Sequence, residues 1–541
     1  MFINFNRIPG NHQLFLDYLY NFENVSRFYK SDFRKKENYN DIFELVSSSP
    51  HPYRNKISRI LKEEYSALNP SDKTFKNINS LESANTLAVV TGQQLGILGG
   101  PLYTFYKIIT AIKLADELND RYDGYNFVPV FWLEGDDNDF NEVRWIKVID
   151  DNNEIREIAY GDPAQEEDPK QSVGFVKFDE RITDFFNEVK NALRQTEFTE
   201  TVLARLQDFY SNGKSFKDAF KELIFWLFDS YGLIIFDPQN PEIKKCLTPV
   251  FTKEILDFRR HTEALVSVSA NLDDSYHAQV KVKPVNLFYN FDNARFSIEP
   301  VENEFRLKRK RKSFSQDELL KLIEETPEAF SPNVLLRPIC QDFLLPTAFY
   351  IAGPAEISYF AQVTPLYEMF NLVPPVIYPR ASVTLLEKAI QKTIDKYNLN
   401  FTDLFKDPDV LKTRVLNSLT TNSPDDVFKD AANEIELAFD HLKEKLFEID
   451  QTIADASSKY RQKALSYLDE LKAKADESRK KKHEITLRQL DKVSVSTYPN
   501  SNLQERELNF FYFANKYGIE LLKRFFNEIE INKFEHQVIE L

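Results

Sequence analysis

Short hydrophobic runs alternate with helical patterns through the first part of the chain. Leu87–Val90 is one such run and Phe127–Leu133 is another, and between them apolar residues recur at helical spacing over Leu102–Ile112. Uninterrupted apolar runs of this length are typical of strands that are buried on both faces. A strand, a helix and a second strand in this order predict one parallel βαβ unit.

Further apolar segments continue this alternation and predict more strands. They lie at residues 232–237, 334–337, 348–352 and 376–378. Strands that alternate with helices indicate a doubly wound α/β domain. We expect this domain to fill residues 1–380, with polar insertions at about 145–230 and 250–330.

The carboxyl ends of the predicted strands mark the expected ligand site. In an open, doubly wound sheet, ligands bind in the crevice outside these ends. The stretches that follow Val90, Leu133, Phe236 and Ala352 should therefore converge.

A heptad pattern distinguishes the C-terminal region, residues 381–541. From Ile435 to Leu471 apolar residues recur at spacings of four and three between Glu and Lys residues. Ser423 and the proline after it form a helix-start signal. The pattern predicts a coiled-coil domain with one long helix over about 428–492. Its apolar seam needs a partner, which is either a second chain in a homodimer or a returning helix at 502–526.

Composition restricts the class of protein. The 541 residues are 42% hydrophobic and 14% aromatic, with a formal net charge of −15, which argues against a general nucleic-acid binder. No apolar run in the sequence reaches the length that a membrane span needs. The N-terminal MFINFNRIPG lacks the features of a signal peptide, and the chain has only two cysteines. We therefore expect a cytoplasmic protein without a membrane segment.

A glycine cluster follows the first of the predicted strands. The eleven residues from Thr91 to Pro101 contain Gly92, Gly99, Gly100 and a fourth of the chain's thirteen glycines. A strand, a glycine turn and a helix can point backbone N–H groups at an anion. The segment matches neither of the common nucleotide-binding glycine motifs. It predicts a ligand site or a tight structural turn, without naming the ligand.

Acidic residues follow the second of these strands. They are Glu134, Asp136, Asp137, Asp139 and Glu142. Carboxylates in this position suit binding of Mg²⁺, recognition of an amine or general-base work, and the alternative is a solvated loop or a helix cap.

Basic and acidic residues near the later strands are further candidates. Arg337, in LLRPICQDF, suits a substrate carboxylate or a structural ion pair. Glu356 is expected near a helix N-terminus, and Arg380 follows the last strand of the domain. Cys340 lies in an apolar context that favours an inert thiol, and the seven histidines show no metal-ligand spacing, so no metal site is predicted.

Several blocks of the sequence together resemble one family. The blocks are TGQQ and GGPLYTFYK within 91–107, PVFWLEGDDNDFNEV at 129–143, LRPICQDFLLPTAFYIAGPAEISYFAQ at 336–362, PRASVT at 379–384 and NLQER at 502–506. In these the chain resembles the cysteine-adding enzymes of bacillithiol biosynthesis, the BshC family. The resemblance implies a Rossmann-like core with insertions and a C-terminal coiled coil. One difference is Asn138, where the family often has histidine.

The resemblance also implies an activity and a set of site residues. The family is thought to join L-cysteine to the amino group of glucosaminyl-malate, a ligation for which we expect ATP, with Mg²⁺ as a candidate ion. We expect Asp136, Asp137 and Asp139 to be catalytic. The expected substrate- or nucleotide-binding residues are Thr91, Gly92, Gln93, Gln94, Gly99, Gly100, Tyr103, Lys107, Trp132, Arg337, Gln341, Asp342, Glu356 and Arg380. A nucleotide-sugar glycosyltransferase and a non-enzymatic coiled-coil scaffold remain the alternatives.

Overall fold

The structure is a computed structural model that describes residues 1–164, 170–419 and 424–541. The chain forms two compact units. The first contains residues 1–385 and 503–539, and the second contains residues 386–502 and 540–541.

The strands of the described residues, in chain order, are β1 (Phe2–Ile3), β2 (Thr86–Gln94), β3 (Asn126–Glu134), β4 (Trp145–Ile149), β5 (Ile155–Ala159), β6 (Ile234–Phe236), β7 (Leu287–Phe291), β8 (Ala294–Val301), β9 (Glu304–Leu307), β10 (Ser313–Phe314), β11 (Phe330–Pro332), β12 (Thr347–Ala352), β13 (Val376–Pro379), β14 (Ser382–Leu386) and β15 (His536–Glu540).

The α-helices as far as β14 are α1 (Gln13–Tyr20), α2 (Tyr39–Ser48), α3 (Arg54–Ser66), α4 (Asp72–Ser80), α5 (Leu102–Arg121), α6 (Phe140–Val143), α7 (Arg181–Ala192), α8 (Thr199–Phe209), α9 (Phe216–Phe228), α10 (Pro241–Cys246), α11 (Thr248–Asp273), α12 (Gln316–Glu325), α13 (Arg337–Leu344) and α14 (Pro354–Met369). The helices after β14 are α15 (Lys388–Lys396), α16 (Pro408–Ser418), α17 (Pro424–Phe447), α18 (Gln451–Lys482), α19 (Glu484–Thr497), α20 (Gln504–Glu507), α21 (Phe510–Tyr517) and α22 (Leu521–Glu528).

A five-stranded parallel sheet forms the centre of the first unit. Its strand order is β13-β12-β2-β3-β6, and each neighbouring pair is parallel. Helix α5 connects β2 to β3 and packs on both of them, so the predicted βαβ unit is confirmed. The order reverses between β2 and β12, which is the switch point where open α/β sheets bind ligands.

Strand β2 is longer than the hydrophobic run predicts. It pairs with β3 from Thr86 as far as Gln94, which lies opposite Glu134. The backbone hydrogen bonds to β3 therefore keep the first part of the expected glycine turn in the sheet. Gly92 suits this position, because a Cβ there would lie 3.1 Å from the carbonyl oxygen of Trp132.

A second five-stranded sheet lies in the insertion before residue 334. It is antiparallel, with the order β10-β9-β8-β7-β11. The strand expected at 334–337 is wrong: β11 ends at Pro332, and Arg337 begins α13. Asn333 causes this change of direction, since its Oδ1 accepts hydrogen bonds from the backbone N–H groups of Leu335 and Leu336, both at 3.0 Å.

The second unit contains a helical hairpin instead of one long helix. The expected helix over 428–492 is wrong, because α17 ends at Phe447 and α18 begins at Gln451 and packs against it. Asp450 ends the first helix and caps the second, accepting hydrogen bonds from the N–H groups of Thr452 at 2.7 Å and Ile453 at 3.1 Å. The expected cap Ser423 lies outside the described residues.

Two ion pairs between the helices show the direction of the hairpin. Arg461 lies 3.1 Å from Asp440, and Lys472 lies 2.7 Å from Asp425, so the helices run antiparallel. The expected returning helix at 502–526 is not the partner, since residues 503–539 belong to the first unit. Within the described parts of the chain, no helix is long and apolar enough to cross a membrane.

Candidate active site

A cavity of about 730 Å³ opens at the carboxyl edge of the parallel sheet. The ends of β2, β3 and β12 contribute Gly92, Trp132, Glu134 and Tyr350, and the segment after β12 contributes Gly353. The volume falls within the range of roughly 300–1,000 Å³ that small-molecule sites occupy. The switch-point position and the size together make this cavity the candidate active site.

The end of β2 forms one wall through Gln93 and Gln94. Gln93 donates a hydrogen bond from Nε2 to the Tyr103 hydroxyl at 3.1 Å and accepts one from Lys107 Nζ at 2.9 Å. Gln94 donates to Asp137 and, at 2.8 Å, to Glu142. Both amides are thus fixed by side chains from other segments, which orients this wall.

A buried ion pair joins α5 to α14. Lys107 Nζ lies 2.5 Å from Glu356 Oε2 and donates a hydrogen bond to the Gly92 carbonyl. Glu356 also accepts hydrogen bonds from the Tyr350 hydroxyl and the Gly353 N–H group. Burial alone would raise the pKa of Glu356, but Lys107 and these donors hold it below the ordinary value. Glu356 is therefore an ionised, anchored residue that orders the cavity wall.

Arg337 reaches the cavity from the first turn of α13. It donates to Gln341 Oε1 at 2.9 Å and to the Tyr359 hydroxyl at 3.1 Å. Gln341 in turn donates to Asp342 at 2.7 Å. Gln341 and Asp342, which were expected to bind substrate or nucleotide, do not line the cavity. They lie in the buried network that orients Arg337.

The last two arginines of the cavity differ in their partners. Arg380 pairs with the fully buried Glu505 at 2.7 Å and donates to the Ala381 carbonyl. Arg506, which also lines the cavity, has no ion-pair partner among the described residues. The guanidinium of Arg506 is therefore the more available of the two for a substrate anion.

The three aspartates that were expected to be catalytic have different environments in the structure. Asp136 is buried and pairs with Lys244 at 2.6 Å, which makes it structural and places it outside the lining. Asp137 lines the cavity, but its Oδ1 accepts hydrogen bonds from the N–H groups of Asn138 and Asp139, and its Oδ2 accepts one from Gln94. Asp139 does not line the cavity.

Glu134 is the acidic residue whose environment is most unusual. Its Oε2 is buried and finds no hydrogen-bond partner among the described residues, and the nearest cationic atom is Arg337 Nε at 3.9 Å. Burial raises the pKa of Glu134 to about 7, against the opposing effect of Arg337 and with smaller increases from Asp136 and Asp137. This pKa suits proton transfer near neutral pH.

The remaining glycines of the cluster are structural. Gly99 and Gly100, which were expected to bind a ligand, do not line the cavity. Asn509 Nδ2 donates to the carbonyls of Leu98 and Gly100, and Gly100 has a φ of +70°. Thr91 is also outside the lining, because it is fully buried and donates to the Ile351 carbonyl. The cluster is a tight turn that packs against a distant segment.

The charge of the cavity is opposite in sign to that of the whole chain. Seven basic side chains and three carboxylates of the described residues line it, in a protein whose net charge is −15. Four of these cations, Lys281, Lys283, Arg295 and Arg506, have no ion-pair partner among the described residues. A cavity with unpaired cations attracts anionic ligands.

Several lining residues were absent from the expected site. Lys281, Lys283, Phe288 and Arg295 come from the insertion at 250–330, where no motif indicated them. Arg506 lies in NLQER, a block that carried the family resemblance, so that block was a usable signal. The expected residues that do line the cavity are Gly92, Gln93, Gln94, Tyr103, Lys107, Trp132, Asp137, Arg337, Glu356 and Arg380.

The two parts of the chain match two domain models of one family. Residues 1–381 match "Bacillithiol biosynthesis BshC, N-terminal Rossmann-like domain", and residues 383–541 match "Bacillithiol biosynthesis BshC, C-terminal coiled-coil domain". These matches confirm the predicted fold class. Among solved structures, a "putative arginyl t-RNA synthetase" from Campylobacter jejuni aligns over 84% of this chain and 98% of its own, with 11% identity and a TM-score of 0.18, which is too low to indicate a shared fold.

Full-length relatives agree with this family. A protein of Salinibacter ruber is 34% identical over 97% of this chain and 96% of its own length. A protein of Chloroherpeton thalassium is 34% identical over 94% of this chain and 93% of its own length. A protein of Natranaerobius thermophilus is 31% identical over 96% of this chain and 96% of its own length. Each relative carries the name "Putative cysteine ligase BshC". With both domains matched and relatives aligned along nearly the whole length, the chain belongs to the bacillithiol biosynthesis BshC family.

Proposed function

We propose that this protein is a carbon–nitrogen ligase that joins the carboxyl group of L-cysteine to the amino group of glucosaminyl-malate. The relatives are named as cysteine ligases, and the cavity offers contacts for both charged substrates. The observation that carries the proposal is a cation-rich cavity at the switch point of the sheet in a chain of this family.

The reaction needs an activated carboxylate, because an amine does not displace oxygen from a free carboxylate at neutral pH. We propose that ATP activates cysteine as an acyl-adenylate or an acyl-phosphate. The cations without an ion-pair partner suit the phosphates of the nucleotide and the two carboxylates of the malate group. The same surface supports both uses, since each ligand presents anionic oxygens.

Mg²⁺ is the ion that commonly accompanies ATP. Within the described residues, no group of three or more His, Cys, Asp or Glu side chains lies close enough to hold a metal ion. The side chains therefore do not fit a resident metal site, and we propose no step through one. Mg²⁺ usually binds through phosphate oxygens and water with few protein ligands, so it would arrive with the nucleotide.

The apolar part of the cavity suits the sugar ring. Trp132 stacks on Phe236 with ring centroids 5.2 Å apart, and its indole N–H finds no acceptor among the described residues. Tyr350 of β12 and Tyr359 of α14 also line the cavity. Aromatic faces with polar tips can pack on a sugar and bind its hydroxyl groups. We propose that the amino sugar lies between these side chains.

We propose that the protein works as a homodimer through the hairpin. On the outer side of α18, Ile453, Tyr460 and Tyr467 recur every seven residues and are 51%, 62% and 68% exposed. Heptad spacing of exposed apolar residues is typical of a surface that packs on another helix. A second copy of this chain carries the same stripe and is the partner that we propose. Because both substrates are intracellular metabolites, we place the reaction in the cytoplasm.

A deletion strain tests the function in the cell. Removal of the gene should abolish bacillithiol and leave glucosaminyl-malate unconsumed, and a plasmid copy of the wild-type gene should restore the thiol. Mass spectrometry of cell extracts measures both compounds. Normal bacillithiol in the deletion strain would reject the assignment, and binding of a nucleotide sugar instead of cysteine by the purified protein would favour a glycosyltransferase.

A further inference from the structure

The carboxylates that face the cavity are not equally free to react. Among the described residues these are Glu134, Asp137 and Glu356. Glu356 is held by Lys107 at 2.5 Å, by the Tyr350 hydroxyl at 2.7 Å and by the Gly353 N–H group at 2.8 Å. A carboxylate with three fixed partners has little tendency to accept a proton from a ligand.

Asp137 is also held in place. Its Oδ1 accepts the N–H group of Asn138 at 2.7 Å and that of Asp139 at 3.3 Å, and its Oδ2 accepts from Gln94. These hydrogen bonds shape the loop that follows β3, so the side chain of Asp137 has a structural role. The neighbouring Asn138 lines the cavity, but its carboxamide cannot act as a base near neutral pH.

Glu134 differs from both. It is the last residue of β3, so the sheet fixes its backbone, and 22% of its side chain remains exposed. Its buried Oε2 has no hydrogen-bond partner among the described residues, and the Arg337 Nε atom at 3.9 Å is too far for a hydrogen bond. A buried carboxylate oxygen without a donor is costly in a folded protein and therefore points to a function.

We propose that Glu134 is the catalytic residue that accepts the proton from the attacking amine. The proposal rests on the proposed function and extends it, because none of the comparisons assigns a proton acceptor. Glu134 follows Trp132 by two residues on β3 and precedes the loop of Asp137, and all three residues line the cavity. An amino sugar held against Trp132 would bring its nitrogen to the exposed part of the Glu134 side chain, since Oε2 itself is buried.

The lone pair of the uncharged amine forms a C–N bond to the activated carboxyl carbon of cysteine. The C–O bond to the phosphate or adenylate breaks, and that group leaves with the bonding electron pair. The proton released from the nitrogen passes to the carboxylate of Glu134, which later returns it to water.

The charged groups around Glu134 support this role. The pKa of Glu134 is raised to about 7, mainly by burial and also by Asp136 and Asp137, while Arg337 and Arg295 act in the opposite direction. Arg337 comes from α13 and Arg295 from β8, so the opposing cations face Glu134 from two other elements. A base with a pKa near the working pH is the most efficient in proton transfer.

Steady-state kinetics of the full-length protein test the proposal, with L-cysteine, glucosaminyl-malate and ATP as substrates. Glu134→Gln keeps the shape of the side chain and removes the base. We expect kcat at pH 7 to fall on the order of 10²-fold, with little change in KM for the amino sugar. Glu134→Asp should recover part of the rate. In the wild type, kcat should rise with pH as Glu134 ionises near pH 7, and this step of the pH profile should be absent in the Gln variant.

The outcomes of this assay distinguish a failure of the Glu134 assignment from a failure of the proposed ligase function. If the wild type forms no amide product, the ligase assignment fails and Glu134 loses its role with it. If the wild type forms the product and Glu134→Gln matches its kcat at pH 7, only the assignment of Glu134 is wrong. A raised KM for cysteine at unchanged kcat would likewise overturn it, because Glu134 would then bind the cysteine ammonium group.

Discussion

The raised pKa of Glu134 has a consequence for stability. Its pKa is about 7 in the folded protein against an ordinary 4.5, so the folded state keeps a proton that the unfolded chain has lost. The stability contribution is thus fully present below pH 4.5 and is lost as the pH rises through 7. Glu134→Gln should therefore stabilise the protein at pH 8, by roughly 1–2 kcal/mol because part of the side chain is solvated, and have little effect at pH 5.

Urea unfolding at both pH values measures this difference. Glu304→Gln is the matched control, since Glu304 is exposed on β9 and has no ion-pair partner among the described residues. Equal stabilisation by the two variants, or none by Glu134→Gln at pH 8, would contradict the burial argument.

Arg506 permits a second prediction at the level of one residue. Arg506→Gln removes a cation without an ion-pair partner from the cavity and should raise KM for an anionic substrate about 10- to 100-fold, the usual cost of a charge-assisted hydrogen bond. The value of kcat should change much less. Arg311→Gln, which removes an exposed charge away from the cavity, serves as the control in the same kinetic assay. An unchanged KM in the Arg506 variant would refute the proposed anion contact.

The position of the site could be predicted from the sequence better than the roles of its residues. The acidic loop after β3 could be predicted, because the hydrophobic run Phe127–Leu133 ends next to it, whereas β2 continues to Gln94, four residues beyond its own hydrophobic run. The roles of Asp136 and Asp137 could not be predicted from the sequence. For example, the partner of Asp136 is Lys244, which is 108 positions away. Local sequence carries no information on such pairs. Arg506 also lines the cavity, although it lies near the end of the chain and far in sequence from the other lining residues.

The hairpin turn shows why one element was mispredicted. The turn contains neither glycine nor proline, so the pattern of apolar residues continued through it. Its actual signal is Asp450, a capping residue at the start of α18. The helices on the two sides of the turn pack against each other, while the seam residues Ile453, Tyr460 and Tyr467 stay exposed. In the first unit the hydrophobic runs correctly indicated the five strands of the parallel sheet, but the run at 334–337 was wrongly predicted as a strand.

A cap substitution tests the role of Asp450. Asp450→Ala leaves the N–H groups of Thr452 and Ile453 without an acceptor and should destabilise the start of α18 by about 1 kcal/mol. Hydrogen exchange in residues 446–456 of the full-length protein should become faster. Asp455→Ala, at an exposed position inside α18, is the control. Equal exchange in the two variants would mean that the cap does not maintain the turn.

The whole molecule should be a dimer in solution. Tyr460→Asp combined with Tyr467→Asp places two charges in the exposed stripe and should convert the dimer to a monomer of about 63.4 kDa. Gln462→Asp, on another side of α18, should leave the dimer intact. Light scattering at micromolar concentration measures the mass. A wild-type protein of 63.4 kDa would refute the proposed dimer.

The central claim is that this chain ligates cysteine to an amino sugar through an activated carboxylate. Its most direct test supplies purified protein with ATP, glucosaminyl-malate and cysteine labelled with ¹⁸O at both carboxyl oxygens, and analyses the products by mass spectrometry. We expect an amide product that retains one ¹⁸O, with the other ¹⁸O in AMP or phosphate. Absence of the amide would contradict the ligase assignment, and ¹⁸O released only into water would contradict activation by ATP.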